Sequence, residues 1–138
     1  MVQNTSHAVM AQRISGNEGL DDFPTPPWAV RAFLEHVLSP IAPLSCETCL
    51  EPACGRGYMA RALAEYFAKV DMADVYPYSE NIPQFDFLVY EDARMYDWVV
   101  TNPPFKDAER FIKRARGMAS HGVAMLTRTS FLESKCRY

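Results

Sequence analysis

With 138 residues, 49% of them apolar and 22% charged, the chain has the size and composition of one globular domain rather than two. A formal net charge of -3 supplies no overall basic field, which argues against a simple electrostatic nucleic-acid binder but leaves room for a local basic surface. No apolar run approaches the roughly 20 residues needed to cross a bilayer, and the N-terminal stretch lacks the layout of a signal peptide, so a cytoplasmic location is expected.

Residues 1–20 show no hydrophobic periodicity and read as a mobile arm, with the domain running over 21–138. "DDFPTPPWAVRAFLEHVLSP" predicts a helix with Thr25 as N-cap and Pro26 at its first position. Val30, Phe33, Leu34, Val37 and Leu38 form its apolar face, and Pro40 ends it. Cys46 and Cys49 make a lone C-x-x-C. A zinc site needs a second pair or histidines at ligand spacing, and none follows, so no metal is expected.

From Cys46 a first strand leads into "LEPACGRGYMARALAEYFAKV", where the glycines turn the chain before a helix over about 58–67. "KVDMADVYPY" reads as a second strand ending at Asp74, and "PQFDFLVY" as a shorter third. "DWVVT" is the fourth. "DAERFIKRARGMA" is a helix with Ala108, Phe111, Ile112 and Ala115 on one face, and Lys113, Arg114 and Arg116 on a solvated one. "GVAMLTRT" is the fifth strand. Strands alternating with helices predict an α/β fold, a Rossmann-like, doubly wound, mostly parallel sheet of order 3-2-1-4-5. Ligand then sits above strands 1 and 4, where the order reverses.

Both unusual loops fall at that switch point. Gly55-Arg56-Gly57-Tyr58-Met59-Ala60 fits G-x-G-x-x-G/A between strand and helix, the spacing that lets backbone approach a ligand. Asp74 ends the next strand, near the spacing of an acid that holds ribose hydroxyls. A dinucleotide would put pyrophosphate on this loop, where the Glu51 carboxylate is unwelcome. The same carboxylate suits a cationic ligand such as the amino group of S-adenosylmethionine. Glu51, Pro52 and Asp74 together therefore point to an adenosyl cofactor.

"TNPPF" supplies the other half. An aromatic amine such as adenine N6 is a poor nucleophile because its lone pair is delocalised. An enzyme that methylates it must hold the amine with acceptors and aim it. The Asn102 side-chain oxygen can accept one N–H, and the carbonyl of Pro103, stiffened by Pro104, can accept the other. Phe105 can stack on the base.

"TPPW", "LEPACGRG", "DFL" and "TNPPF" occur in the order seen in amino-group methyltransferases of the DNA adenine-N6 type. Over residues 21–135 the chain resembles that class I family, especially its small phage and prophage members. The resemblance implies S-adenosylmethionine as cofactor and DNA as substrate, with a protein glutamine or an RNA base as alternatives, because the Asn-Pro-Pro-aromatic signature serves those too. It implies that Thr25 contacts the methionine carboxylate and that Glu51, Ala53 and Gly55, with Gly57 closing the loop, surround the methionine end. Asp74 would hold the ribose. Val75, Asp86 and Phe87 would meet the cofactor adenine, and Asn102, Pro103, Pro104 and Phe105 the target amine. Family members continue into two further strands. This sequence ends at Tyr138, so the final hairpin is expected to be missing and the fifth strand open to self-association. A truncated, non-catalytic remnant that keeps the cofactor site is the corresponding alternative.

Overall fold

A computed structural model describes residues 23–89, 91 and 94–133; the arm expected over 1–20 lies outside them. Helix α1 (Pro27–Phe33) opens one residue later than the sequence predicts. Pro26 takes the N-cap place with an extended ψ of 132°, and Pro27 stands in the first turn, where a missing N–H is harmless. Thr25 does not cap the helix, because its hydroxyl accepts a hydrogen bond from Asn102 instead. After Phe33 the helix widens into a π turn over Leu34–Leu38, closed by the Ser39 N–H donating to the Leu34 carbonyl at 2.8 Å. Val30, Leu34 and Leu38 stay buried, but Val37, expected on the apolar face, is 49% exposed. The wider turn changes which side chains share a face.

Strands β1 (Thr48–Glu51), β2 (Lys69–Met72), β3 (Tyr96–Thr101) and β4 (Ala119–Met125) form one parallel sheet in the order β2-β1-β3-β4. Helix α2 (Tyr58–Leu63) joins β1 to β2. It is shorter than predicted, and the chain reaches Phe67 through turns. Helix α3 (Ala108–Met118) joins β3 to β4, and β4 begins directly at its end, three residues ahead of the predicted strand. The order reverses between β1 and β3, as the alternating pattern requires.

The expected third strand is not a strand. "PQFDFLVY" contributes a single parallel bridge, Asp74 to Gln84, and then turns. Pro83 has no N–H for a ladder, and the Asp86 carboxylate accepts the Leu88 N–H at 2.9 Å, so a local turn outcompetes pairing. In the sequence-based count the order is therefore 2-1-4-5.

Alternating side chains place the core on both faces of the sheet. Cys49, Trp98 and Val100 face α1 and α2, packing with Leu34, Leu63 and Phe67. Leu50, Tyr96 and Val99 face α3 through Phe111 and Ala115. Burial on both faces explains why the central strands read as nearly continuous apolar runs. Trp98 is anchored by its indole N–H, which donates to Glu47 Oε2 at 2.6 Å, and it fills the space beside Gly122. A Cβ on Gly122 would lie 2.4 Å from the Trp98 ring. Gly122→Ala should therefore lower stability by about 1–3 kcal/mol through overpacking. Urea unfolding checks this, and a wild-type midpoint would mean that Trp98 moves freely.

Among the described residues no helix is long and apolar enough to cross a membrane.

Candidate active site

The floor of the site is the tip of β1. Glu51 ends that central strand and is 1% exposed. Its Oε1 accepts the hydroxyl of Thr101, the last residue of neighbouring β3, and the Ala53 N–H at 3.1 Å. Among the described residues nothing donates to Oε2. Burial pushes the Glu51 carboxyl up to about 8; the Thr101 and Ala53 bonds pull it down, and the nearby Asp74 charge adds to the rise. This acid has given up water for only two donors, which suits it to receive a cation.

The loop that follows is shaped by Asp74. Gly55 (φ 54°) and Gly57 (φ 86°) adopt the left-handed conformation the turn demands. The Gly55 N–H donates to Asp74 Oδ2 at 2.8 Å, and the Tyr76 N–H to Oδ1 at 2.9 Å. One carboxylate thus ties the glycine loop to the turn after β2. A Cβ on Gly55 would meet nothing within 4 Å, so among the described residues, its chain neighbours aside, none fills the space beside it. Gly57 is different: a Cβ there would press on Arg61 at 3.3 Å, on the side facing α2. The Cys54 thiol, buried beside Glu51, is pushed up to about 12 and is a packing group, not a nucleophile. Of the C-x-x-C pair, Cys46 is exposed and Cys49 is buried in β1.

The wall is the turn after β3. Asn102 Nδ2 donates to the Phe23 carbonyl at 3.0 Å and to Thr25 Oγ1 at 3.2 Å. Both amide hydrogens are thereby used. Oδ1 accepts nothing among the described residues and remains as a fixed acceptor. The segment before α1 acts as a latch on this turn, since the Phe23 ring also packs on Phe105 at 5.2 Å.

Floor, loop and wall enclose an open cleft of about 270 Å³. Of the residues expected at the site, Thr25, Glu51, Ala53, Gly55, Asp74, Val75, Asp86, Phe87, Asn102, Pro103 and Pro104 line it. Gly57 and Phe105 do not. Gly57 faces Arg61 and Met72, and Phe105 packs on Phe23 and carries the Arg128 guanidinium 4.3 Å from its ring centre. Phe87 lines the cleft and is also a core residue, 2% exposed and packed on Phe111 at 5.1 Å. Thr101, Phe23, Tyr76, Tyr78 and the rim cations Arg56, Lys106 and Arg110 join the site without a mark in the sequence that sets them apart. Its position two residues before Thr25 is the one signal in the sequence that points to Phe23. Thr101 looked like an ordinary strand residue.

No family model matches the chain, and no curated protein matches its sequence. Solved structures do match its shape. A Pyrococcus horikoshii protein named provisionally as an RNA methyltransferase superposes with a TM-score of 0.62 at 15% identity, over 96% of this chain and 76% of its own. The 23S rRNA methyltransferase ErmE gives 0.60 at 18% identity, over 83% and 51%. A Thermoplasma acidophilum protein gives 0.60 at 17% identity, over 76% and 62%. The chain thus spans between half and three quarters of the length of these neighbours. At such identities the likeness concerns architecture: the chain has the Rossmann-like, parallel-sheet fold of class I methyltransferases.

Proposed function

We propose that this chain is an S-adenosylmethionine-dependent N-methyltransferase acting on the exocyclic N6 amine of adenine in DNA. The observation that carries the reading is the Asn102 carboxamide, held by both its N–H groups so that Oδ1 is an acceptor on the wall of a cleft floored by a buried acid. The residues present fit the cofactor. Glu51 Oε2 is available to an ammonium group, the space beside Gly55 is open, and Asp74 stands at the lining with a carboxylate. When bound, the cofactor supplies an electrophilic methyl group on a sulfonium.

The chain's own residues do the positioning. Asn102 Oδ1 and the Pro103 carbonyl each accept one N–H of the target amine, an arrangement that favours a nitrogen becoming tetrahedral. Pro103 and Pro104 restrict φ and hold that carbonyl in place. Glu51 and Thr25 orient the methionine end, and Val75, Asp86 and Phe87 the adenine end.

A base in RNA is the second reading, because two neighbours of this fold carry RNA methylation in their names. Methylation of a protein glutamine is the third. Calorimetry with S-adenosylmethionine and with NAD, followed by methyl-transfer assays on DNA, RNA and protein, tests all of them. Binding of S-adenosylmethionine alone, with transfer to DNA, is the expected result. NAD binding would overturn the cofactor. Cofactor binding without transfer to any acceptor would leave a cofactor-binding module in place of an enzyme.

A further inference from the structure

Arg128 follows β4 in extended backbone and is exposed, with its guanidinium 4.3 Å from the centre of the Phe105 ring. Among the described residues it pairs with no carboxylate, and neither does Lys106, the exposed cation next to Phe105 at the cleft rim. Two cations of α3 do find acids: Arg110 meets Asp107 at 3.4 Å and Lys113 meets Glu109 at 3.2 Å. Phe105 itself is kept out of the cleft lining, although Pro104 and Lys106 on either side of it are part of that lining. A cation thus rests on the ring that the proposed function needs for stacking a base.

We propose that Arg128 is a phosphate-binding gate: its guanidinium leaves Phe105 when the target base stacks there and takes the phosphodiester next to that base. The inference rests on the reading of the cleft as a nucleic-acid methylation site. An exposed guanidinium over a half-buried ring such as Phe105 is weakly held, because water competes for its charge. A stacking base replaces it on the ring, and the planar fork of N–H donors matches a phosphate better than it matches any group now nearby. Lys106, next to Phe105 in the sequence and part of the cleft lining, adds a second positive charge nearby. In a chain of net charge -3, these two cations put local positive charge beside the Phe105 ring, one in the sequence and one in space, where an anion next to a stacked base would meet it.

The test is fluorescence anisotropy of labelled single-stranded oligonucleotides, one DNA and one RNA, each carrying a single adenine. They are titrated with the full chain, with and without S-adenosylmethionine, across a range of salt. Arg128→Ala should weaken binding about tenfold at low salt and flatten the plot of log K against log salt by about 0.7, the loss of one phosphate contact on a single strand. Arg128→Lys, which keeps the charge but not the fork, should restore the slope and part of the affinity. The strand type that shows the slope change identifies the phosphodiester's source. An unchanged slope in Arg128→Ala, with or without tighter binding, would make Arg128 a mere cover for Phe105 and overturn the gate. So would a wild-type protein that binds the cofactor but neither oligonucleotide. Failure of the wild type to bind S-adenosylmethionine, with oligonucleotide binding still sensitive to Arg128, would instead overturn the methyltransferase reading alone.

Discussion

Asn102→Ala is expected to lower the rate of methyl transfer by about 10²–10³, the scale for removing one preorganised hydrogen-bonding group from a reacting centre. Cofactor affinity should fall far less than the rate, since Glu51, Asp74 and the glycine loop are untouched and of the cofactor-facing groups only Thr25 loses a bond. The substitution removes the acceptor Oδ1 and also releases the Phe23 carbonyl and Thr25 hydroxyl from their donor. The loss of those bonds should cost roughly 1–2 kcal/mol of stability. Methyl incorporation measured beside calorimetric cofactor affinity separates the two roles. If both fall together, Asn102 holds the cleft wall and does not present the amine.

Glu51→Gln is expected to weaken cofactor binding and to stabilise the protein above neutral pH. In the folded chain the Glu51 carboxyl is pushed up to about 8 by burial, whereas in the unfolded chain it titrates near 4.5. Between these values the folded state holds a proton that the unfolded state has released, so stability falls as pH rises. The contribution is fully present below about pH 4.5 and is lost through pH 8, a difference on the order of 5 kcal/mol. Glutamine keeps an oxygen for the Thr101 hydroxyl and the Ala53 N–H and has no charge to bury. Its stability should therefore decline less from pH 5 to 9 than that of the wild type. A cationic ligand has the opposite preference: it favours ionised Glu51, so cofactor binding near pH 7 should release a proton. Calorimetry in buffers of different ionisation enthalpy reads that proton directly. Identical enthalpies in all buffers, together with parallel pH–stability curves for wild type and variant, would remove Glu51 from this role.

The parts of the fold readable from the chain alone are those set by short-range chemistry. The alternation of apolar strands with helices was visible in "DWVVT" and in the 108–115 face, and it determines the parallel sheet and its switch point. Glu51, the glycine loop, Asp74 and Asn102 were visible because each is an unusual residue type at a strand tip. The errors came from competition that a linear reading does not weigh. Pro83 and Asp86 turned an apparently good strand into a bridge and a turn. Thr25 has the chemistry of a cap, but a residue 77 positions away claims its hydroxyl. Phe105 has the chemistry of a stacking platform, yet Arg128, remote in sequence, covers it. Thr101 shares Glu51 only because β1 and β3 are neighbours.

The latch between Phe23 and Asn102 also orders events in time. The bond that shapes the glycine loop, Gly55 to Asp74, joins positions 19 apart, while the latch joins positions 79 apart. Loop-closure entropy makes the longer closure less favourable by about 1 kcal/mol. The segment carrying Glu51, the glycine loop and Asp74 can collapse as a local β-α-β unit, before the wall exists. Asn102 gains its orientation only after the beginning of the domain has come back to meet a strand made much later. Transient opening of the folded protein should run the same course in reverse. The latch is expected to release first, so that on the proposed function the chain would lose its hold on the target amine before the floor proposed to receive the cofactor is disturbed.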